Sequence, residues 1–239
     1  MATTVYLIRH GETEGSGEKR YKGSIDVPLS ERGVEQIRRS SRFITYNLLS
    51  KAVSKYAGYL CDLHGKAEAP ENGLSAVYCS PLSRALKSAE IIAEPHGLPP
   101  IVIPDIRERS FGIWEGMTFT EIKEKHPVEF EAWANNPLDY SPIEGESTLA
   151  VKERVIRALD EILSSHPDGS IAIVAHGGVN RVILCHLLGI PLENIFRIEQ
   201  DFAAVNIIEL WERYPVVKAL NLSPLHFRDE TAQKELSCG

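Results

Sequence analysis

The sequence predicts a single α/β domain of three layers, with helices on both faces of a mostly parallel central sheet. Two observations carry this. Short apolar runs suited to buried strands alternate along the chain with segments of helical periodicity, the pattern of parallel strands joined by helical crossovers. Two of those runs, Val5-Tyr6-Leu7-Ile8 and Ile171-Ala172-Ile173-Val174-Ala175, each deliver a histidine into a glycine-containing turn: Arg9-His10-Gly11-Glu12 and His176-Gly177-Gly178. In open α/β sheets ligands bind beyond the carboxyl ends of the strands. Two histidines presented there, one beside an arginine, suit a site for an anionic group. Either turn alone would read as an ordinary strand end.

The remaining elements follow in order. A polar stretch from Gly15 to Asp26 leads to Ser30, the expected N-cap of a helix carrying Val34, Ile37, Ile44 and Leu48 on one face. Gly33 weakens its first turn. Residues 51–74, with Gly58, Gly65, Pro70 and Gly73, extend that helix before looping out, and read as an insertion. Ala76-Val77-Tyr78-Cys79 is a strand, followed by Ser80-Pro81 and a helix through Ile92. Ile101-Val102-Ile103 is a third strand. Residues 105–147 carry turn signals instead of strong periodicity, with one helix expected over Glu121–Trp133. Ser147 is expected to cap a helix from Thr148 to Leu163, with Val151, Val155, Leu159 and Ile162 facing inward. A helix from Asn180 to Leu188, closed by Gly189, follows the second histidine. Val205–Trp211 and Val216–Leu220 are close enough to pair antiparallel. The domain so defined spans residues 1–222 and leaves a polar tail, 223–239.

With 239 residues, 43% of them hydrophobic, the chain can bury a sizeable core. A net charge of −7 argues against a nucleic-acid or membrane partner, since both need broad basic surface. Arg9, Lys19, Arg20 and Lys22 nevertheless concentrate positive charge locally, which is enough for a small anion. No apolar run approaches the length of a membrane span. The chain begins a strand almost at once, without the organisation of a signal peptide, and a cytoplasmic location is expected. Cys61, Cys79, Cys185 and Cys238 form no C-x-x-C pair. Cys79 and Cys185, lying in apolar segments, read as buried free thiols. No metal-ligand spacing is present; no metal and no cofactor are expected.

Further motifs sharpen the pattern. Arg20-Tyr21-Lys22-Gly23 precedes Pro28-Leu29-Ser30, and Ser80-Pro81-Leu82-Ser83-Arg84-Ala85 follows a strand. Arg107-Glu108 precedes Phe111-Gly112, with Trp114-Glu115-Gly116 just beyond, and Gly145-Glu146-Ser147 opens a helix. In this order, together with the two histidine turns, the chain resembles the histidine phosphatase superfamily, in its phosphoglycerate-mutase-like branch. The resemblance covers about residues 4–210. It implies that His10 is phosphorylated and that water then attacks the phosphohistidine. Glu108 would protonate the leaving oxygen and then assist the water. Arg9, Arg84 and His176 carry over from matching motif positions, and Thr13 matches a position that supports the phosphate pocket. Lys22, Gly23 and Arg107 are candidates for substrate contact. Residues 105–147 would form the substrate side of the site, a loop and helix insertion over it. The expected partner is a small phosphorylated metabolite, with a homodimer left open.

Residue chemistry supports the same reading. Phosphoryl transfer needs positioned cations, an in-line nucleophile and a proton for the leaving oxygen. Neutral imidazole is a good nucleophile, and neighbouring cations disfavour its protonated form. Arg9 and Arg84 can supply those cations while clamping phosphate through forked N–H donors. His176 can donate to the same oxygens. Glu115 competes with Glu108 for the acid role. Arg109 reads as a substrate contact or equally as a solvated charge, and Arg181 as a helix-surface or supporting residue.

The chain also departs from its family. Many relatives carry Trp-Asn, or at least the Asn, where this chain has Gly15-Ser16. Ser16 lacks the paired donor and acceptor of an amide. Mutases of this branch carry a Trp-Arg-Arg segment that here reads Trp133-Ala134-Asn135-Asn136-Pro137, and a lysine expected after Gly116 is missing. A mutase must hold its intermediate against water, and losing those cations favours a phosphomonoesterase. The alternatives are a mutase-type phosphotransferase, a specialised phosphatase such as one for α-ribazole phosphate, and a catalytically silent phosphate-binding module.

Overall fold

A strand buried on both faces has no polar side, so parallel strands under two helical layers read as continuous apolar runs. The computed structural model, which describes residues 2–18, 20–56 and 73–223, places β1 (Thr3–Arg9) inside a six-stranded sheet. The other strands are β2 (Ala76–Cys79), β3 (Pro100–Val102), β4 (Gly169–Ala175), β5 (Val205–Leu210) and β6 (Pro215–Leu222). Their order is β3-β2-β4-β1-β5-β6. The first four run parallel; β5 is antiparallel to both β1 and β6.

Alternation along the strands divides the apolar residues between two cores. On one face Val5, Leu7, Ile171 and Ile173 pack against α5 (Thr148–Ser164) and α6 (Gly177–Leu188). On the other Tyr6, Ile8, Ala172 and Val174 pack against α1 (Glu31–Tyr56) and α2 (Ser83–Ala93). This is the expected three-layer arrangement. The caps read from the sequence are also made: Gly33 N–H donates to Ser30 Oγ at 3.0 Å, and Ala150 N–H to Ser147 Oγ at 3.1 Å. Gly189 closes α6 in the left-handed conformation at φ 63°.

Most boundaries shift by one or two residues, and the middle section and α6 differ more. The helix expected over Glu121–Trp133 is two helices, α3 (Phe119–Lys125) and α4 (Pro127–Asn135). Thr118 and Glu121 form a capping box that starts α3 earlier. Pro127 then disfavours helical backbone at His126, which sits at φ −131°, ψ 55° between the two. Helix α6 begins at Gly177, directly after His176, three residues before the expected start. The third strand is Pro100–Val102, one residue earlier than read. Helix α1 does continue past residue 50, to Tyr56. The rest of the expected 51–74 insertion, apart from Gly73 and Leu74, lies outside the described residues, as does the tail beyond Ser223.

Gly33 is where a local rule and the tertiary structure disagree. It lowers helix propensity, yet the first turn of α1 abuts the loop that carries His10. Ser30 N–H donates to the Glu12 carbonyl at 2.9 Å, and Glu12 N–H donates to Gln36 Oε1 at 2.9 Å. A Cβ on Gly33 would lie 1.9 Å from the Glu12 carbonyl oxygen. Gly33→Ala, which stabilises an exposed helix interior by about 1 kcal/mol, is therefore expected to destabilise this protein by on the order of 1–3 kcal/mol. Urea denaturation measures the change. A gain in stability would show that the contact between α1 and the loop is slack.

Candidate active site

The site begins with a register. In the parallel β1–β4 pair Arg9 lies opposite Ala175, so the next residue on each strand is a histidine. His10 N–H donates to the Ala175 carbonyl at 3.0 Å. The two rings meet edge to face with centroids 5.1 Å apart. His10 is 6% exposed and His176 fully buried.

Hydrogen bonding fixes the chemistry of each ring. His10 Nδ1 lies 2.7 Å from the Gly11 carbonyl oxygen. A carbonyl only accepts, so Nδ1 carries the hydrogen and the neutral ring keeps its lone pair on Nε2. His176 Nε2 pairs with Ser80 Oγ, just beyond β2, at 2.7 Å. His176 Nδ1 is buried with no partner among the described residues. Both rings hold their protons far more weakly than an ordinary imidazole. Burial is the main cause for each; Arg9 and Arg84 add to it for His10, and His10, Arg84 and Arg9 for His176.

The two arginines reach the site from different layers. Arg9, at the end of β1, donates from Nη1 to the Gln200 carbonyl at 2.6 Å and lies 4.0 Å above the Phe202 ring. Burial pulls its pKa down to about 10, against the carboxylate of Glu108, which raises it; the group stays charged at neutral pH. Its Nε is buried and unpartnered among the described residues. Arg84, in the first turn of α2, donates to the carbonyls of Ile25 (2.8 Å) and Gly23 (2.7 Å).

Glu108 lines the same cavity. Its Oε1 accepts from Arg109 N–H at 2.9 Å and its Oε2 from Gly178 N–H, in the first turn of α6, at 3.1 Å. A Cβ on Gly178 would lie 2.6 Å from Glu108 Oε1, so a side chain there would push the carboxylate from this position. Glu115 is occupied elsewhere. Its Oε1 accepts from Ser24 N–H, Ser24 Oγ and Phe111 N–H at 2.7–3.0 Å, tying two loops together outside the cavity lining.

The cavity has a volume of about 790 Å³ and is lined by Arg9, His10, Thr13, Lys22, Gly23 and Arg84, with Glu108. Lys22 Nζ donates to Thr13 Oγ1 at 2.8 Å and to the Glu14 carbonyl. Thr13 Oγ1 also meets Ser16 Oγ at 2.8 Å. Two candidates fall outside the lining. His176 sits in the interior against His10, and Arg107 is held by Glu146 at 3.0 Å, away from the cavity. Conversely, Arg109, which the sequence left between substrate contact and solvated charge, and Arg181, read as a helix-surface or supporting residue, do line it. Arg109 is only 9% exposed and spends its donors on Glu146, Tyr140 and Thr148. The sequence assigned residues 105–147 to the substrate side and singled out Trp133, but Phe119, Ile122 and Phe130, which join it in the lining, stand in no motif.

A pair of buried imidazoles with lowered proton affinity, set among guanidiniums at the carboxyl ends of adjacent parallel strands, is an arrangement suited to an anionic ligand in an α/β protein. Comparison with known proteins carries this to a family. The sequence model of the histidine phosphatase superfamily (branch 1) matches residues 5–54 and 66–223, and the chain belongs to that superfamily. It is 31% identical over 217 residues to phosphoserine phosphatase 1 of Hydrogenobacter thermophilus, covering 91% of each chain. It is 26% identical to adenosylcobalamin/α-ribazole phosphatase of Escherichia coli, over 91% of this chain and 95% of the relative. The crystal structure of the α-ribazole phosphatase from Shigella flexneri superposes with a TM-score of 0.74 at 27% identity, covering 91% of this chain and 96% of that one. Among the described residues no helix is long and apolar enough to cross a membrane.

The lowered proton affinity of His10 has a directional consequence. A group whose pKa falls on folding stays neutral at pH values where the free side chain is protonated. The His10 ring resonance should therefore show no titration as pH is lowered through 6.5, the ordinary imidazole value. Two-dimensional NMR of ring-labelled protein, assigned with His10→Gln, reads this directly. A midpoint at or above 6.5 would remove the case for a permanently neutral nucleophile.

Proposed function

We infer that this chain is a phosphomonoesterase that hydrolyses a small phosphorylated metabolite through a phosphohistidine on His10. The observation that carries the reading is the bond from His10 Nδ1 to the Gly11 carbonyl. It commits the lone pair to Nε2, on a neutral ring that lines a cavity shared with Arg9 and Arg84. The curated relatives, named as phosphatases for phosphoserine and for α-ribazole phosphate, support the reaction class.

In the first step the Nε2 lone pair bonds to phosphorus as the bond from phosphorus to the alcohol oxygen breaks. The Glu108 carboxyl gives its proton to that oxygen. In the second step water attacks phosphorus, its proton passes to the Glu108 carboxylate, and the P–N bond breaks. Alcohol and inorganic phosphate leave, and both residues regain their starting forms. Arg9 and Arg84 compensate the charge on the transferring oxygens. Arg9 Nε is a donor kept dry and unspent for that purpose. His176 accepts from Ser80 at Nε2 and donates from Nδ1 to the same oxygens. Thr13 and Lys22 brace one another at the pocket wall, and Gly23 acts through its carbonyl by orienting Arg84. Arg107 is assigned to the scaffold. No metal enters the scheme, and the buried thiols Cys79 and Cys185 fit a cytoplasmic setting. A mutase-type transfer is disfavoured because Trp133-Ala134-Asn135-Asn136 brings no cation to the site.

Purified protein should hydrolyse an aryl phosphate in excess chelator. His10→Ala should abolish both turnover and acid-labile, base-stable phosphate labelling. Label retained on His176 would show the two histidines to be assigned the wrong way round.

The acid role has its own signature. An alkyl phosphate releases a strongly basic alkoxide and needs a proton, whereas a nitrophenyl phosphate releases a stabilised phenolate. Glu108→Gln should slow His10 phosphorylation by an alkyl phosphate by roughly 10²–10⁴, and by the aryl ester much less. Rapid-quench measurement of phosphoenzyme isolates this step. Equal slowing with both substrates would leave Glu108 a purely electrostatic part.

A further inference from the structure

The groups that handle phosphate account for only part of the cavity. At about 790 Å³ it falls within the range of pockets that enclose a drug-sized ligand, about 300–1,000 Å³. Phosphoserine or phosphoglycerate would leave most of that space to water. The lining opposite in character to the cationic set comes from α3 and α4, as Phe119, Ile122, Phe130 and Trp133, and from the segment after α6, as Ile195 and Phe196.

These rings are preformed rather than collapsed into the core. Phe119 and Phe130 meet edge to face at 5.1 Å, as do Trp133 and Trp114 at 6.2 Å, and Phe130 and Trp133 meet tilted at 5.8 Å. Interlocking of this kind holds an apolar wall open at an entrance where Phe119 remains 49% and Phe196 69% exposed. Plain core packing accounts for Trp114, at 3% exposed, but not for those two.

The charges limit the ligand further. Among the described residues Glu108 is the only carboxylate in the lining, and both its oxygens already accept backbone N–H groups. Arg9, Lys22, Arg84, Arg109 and Arg181 share that lining. Arg20 lines it too, paired with Glu18 and Glu121. An ammonium on the leaving group, as in phosphoserine, would meet six cations and one engaged acid.

We propose that the cavity takes a phosphomonoester whose alcohol carries a bulky, uncharged, apolar body, flat rings above all, packed against the α3–α4 wall and Phe196 while His10 attacks the phosphorus. This rests on the phosphatase reading and narrows its substrate class. It also separates the chain from the relative named for phosphoserine.

The test compares n-propyl phosphate, O-phosphoserine and 2-(2-naphthyl)ethyl phosphate. All three release alkoxides of primary alcohols, so leaving-group chemistry is nearly matched. The naphthyl ester should exceed each of the others in kcat/KM by on the order of 100-fold, the effect of withdrawing a bicyclic ring from water. Phe130→Ala should cut the ratio of naphthyl to propyl ester at least tenfold. Phe196→Ala, at an exposed position with little risk to folding, should cut it by about threefold to fivefold. Comparable kcat/KM for all three esters, or a preference for phosphoserine, would overturn the inference and leave the phosphatase reading standing. Should none be hydrolysed, the phosphatase reading falls, and calorimetric binding to the same protein decides the rest. A Kd ratio near 100 between propyl and naphthyl esters upholds the apolar site, and equal affinities overturn it.

Discussion

The in-register pairing of β1 with β4 is the constraint on which the site depends. Because side chains alternate with period two, a slip of one residue would exchange the two cores and move Arg9 out of its place opposite Ala175, so that the two histidines no longer followed in step. The register is specified doubly, since Val5 and Leu7 must meet one helical layer and Tyr6 and Ile8 the other. A buried polar network reinforces it from the far side. Asn206 on β5 donates to the Leu7 carbonyl at 3.0 Å and to Gln200 Oε1 at 2.9 Å, and Gln200 offers its own carbonyl to Arg9. Gln200 and Asn206 are 1% and 0% exposed. A network this dry is stable only when its members are satisfied, so the position of Arg9 is tied to the packing of three strands.

The same geometry settles the electrostatics. Arg9 and Arg84 are anchored mainly through carbonyl oxygens, those of Gln200, Gly23 and Ile25. Neutral acceptors orient a guanidinium without cancelling its charge, which a carboxylate partner would do. The field therefore survives intact at the cavity, with no reorganisation left to perform when an anion arrives. It has a cost, since clustered cations and imidazoles repel one another and Glu108 offsets this only in part, and the histidines respond by holding their protons weakly. That response is what a nucleophile requires. Burial and cationic neighbours thus act on His10 in the same direction.

Much of this was legible in the sequence because it is local. Strand, glycine turn and histidine are adjacent in the chain, so His10, His176 and Arg84 could be placed at strand and helix ends without knowing the fold. The caps at Ser30 and Ser147 are equally local. What escaped reading depends on distant partners. Arg107 and Glu108 are neighbours of opposite fate: Glu146, 39 residues on, claims the first, and Gly178, 70 residues on, receives the second. Arg181 and Arg109 look like surface charges until α6 and the Glu108 segment meet. Ser16, which replaces an expected amide, accepts from Thr13 N–H and donates to the Thr13 carbonyl, at 3.2 and 2.7 Å. Its hydroxyl closes the turn behind the pocket, a use that pattern comparison did not suggest. The break at His126-Pro127 was legible in principle, since proline restricts the residue before it.

The break also bears on which reaction the site favours. A phosphotransferase must keep the phosphoenzyme dry and grip the departing molecule until phosphate returns to it. Two cations after a tryptophan would serve that grip; here Trp133 is followed by Ala134 and Asn135. With α3 and α4 set as separate short helices, the wall they present is Phe119, Phe130 and Trp133, surfaces that bind an alcohol through burial and not through charge. Once the P–O bond has broken, such a wall holds the alcohol only by its apolar body, while the cationic set stays with the phosphoryl group. In the proposed cycle the alcohol then leaves before the phosphate does, and water takes the position it vacates. Hydrolysis follows from the division of the cavity into a charged part that retains phosphorus and an apolar part that does not.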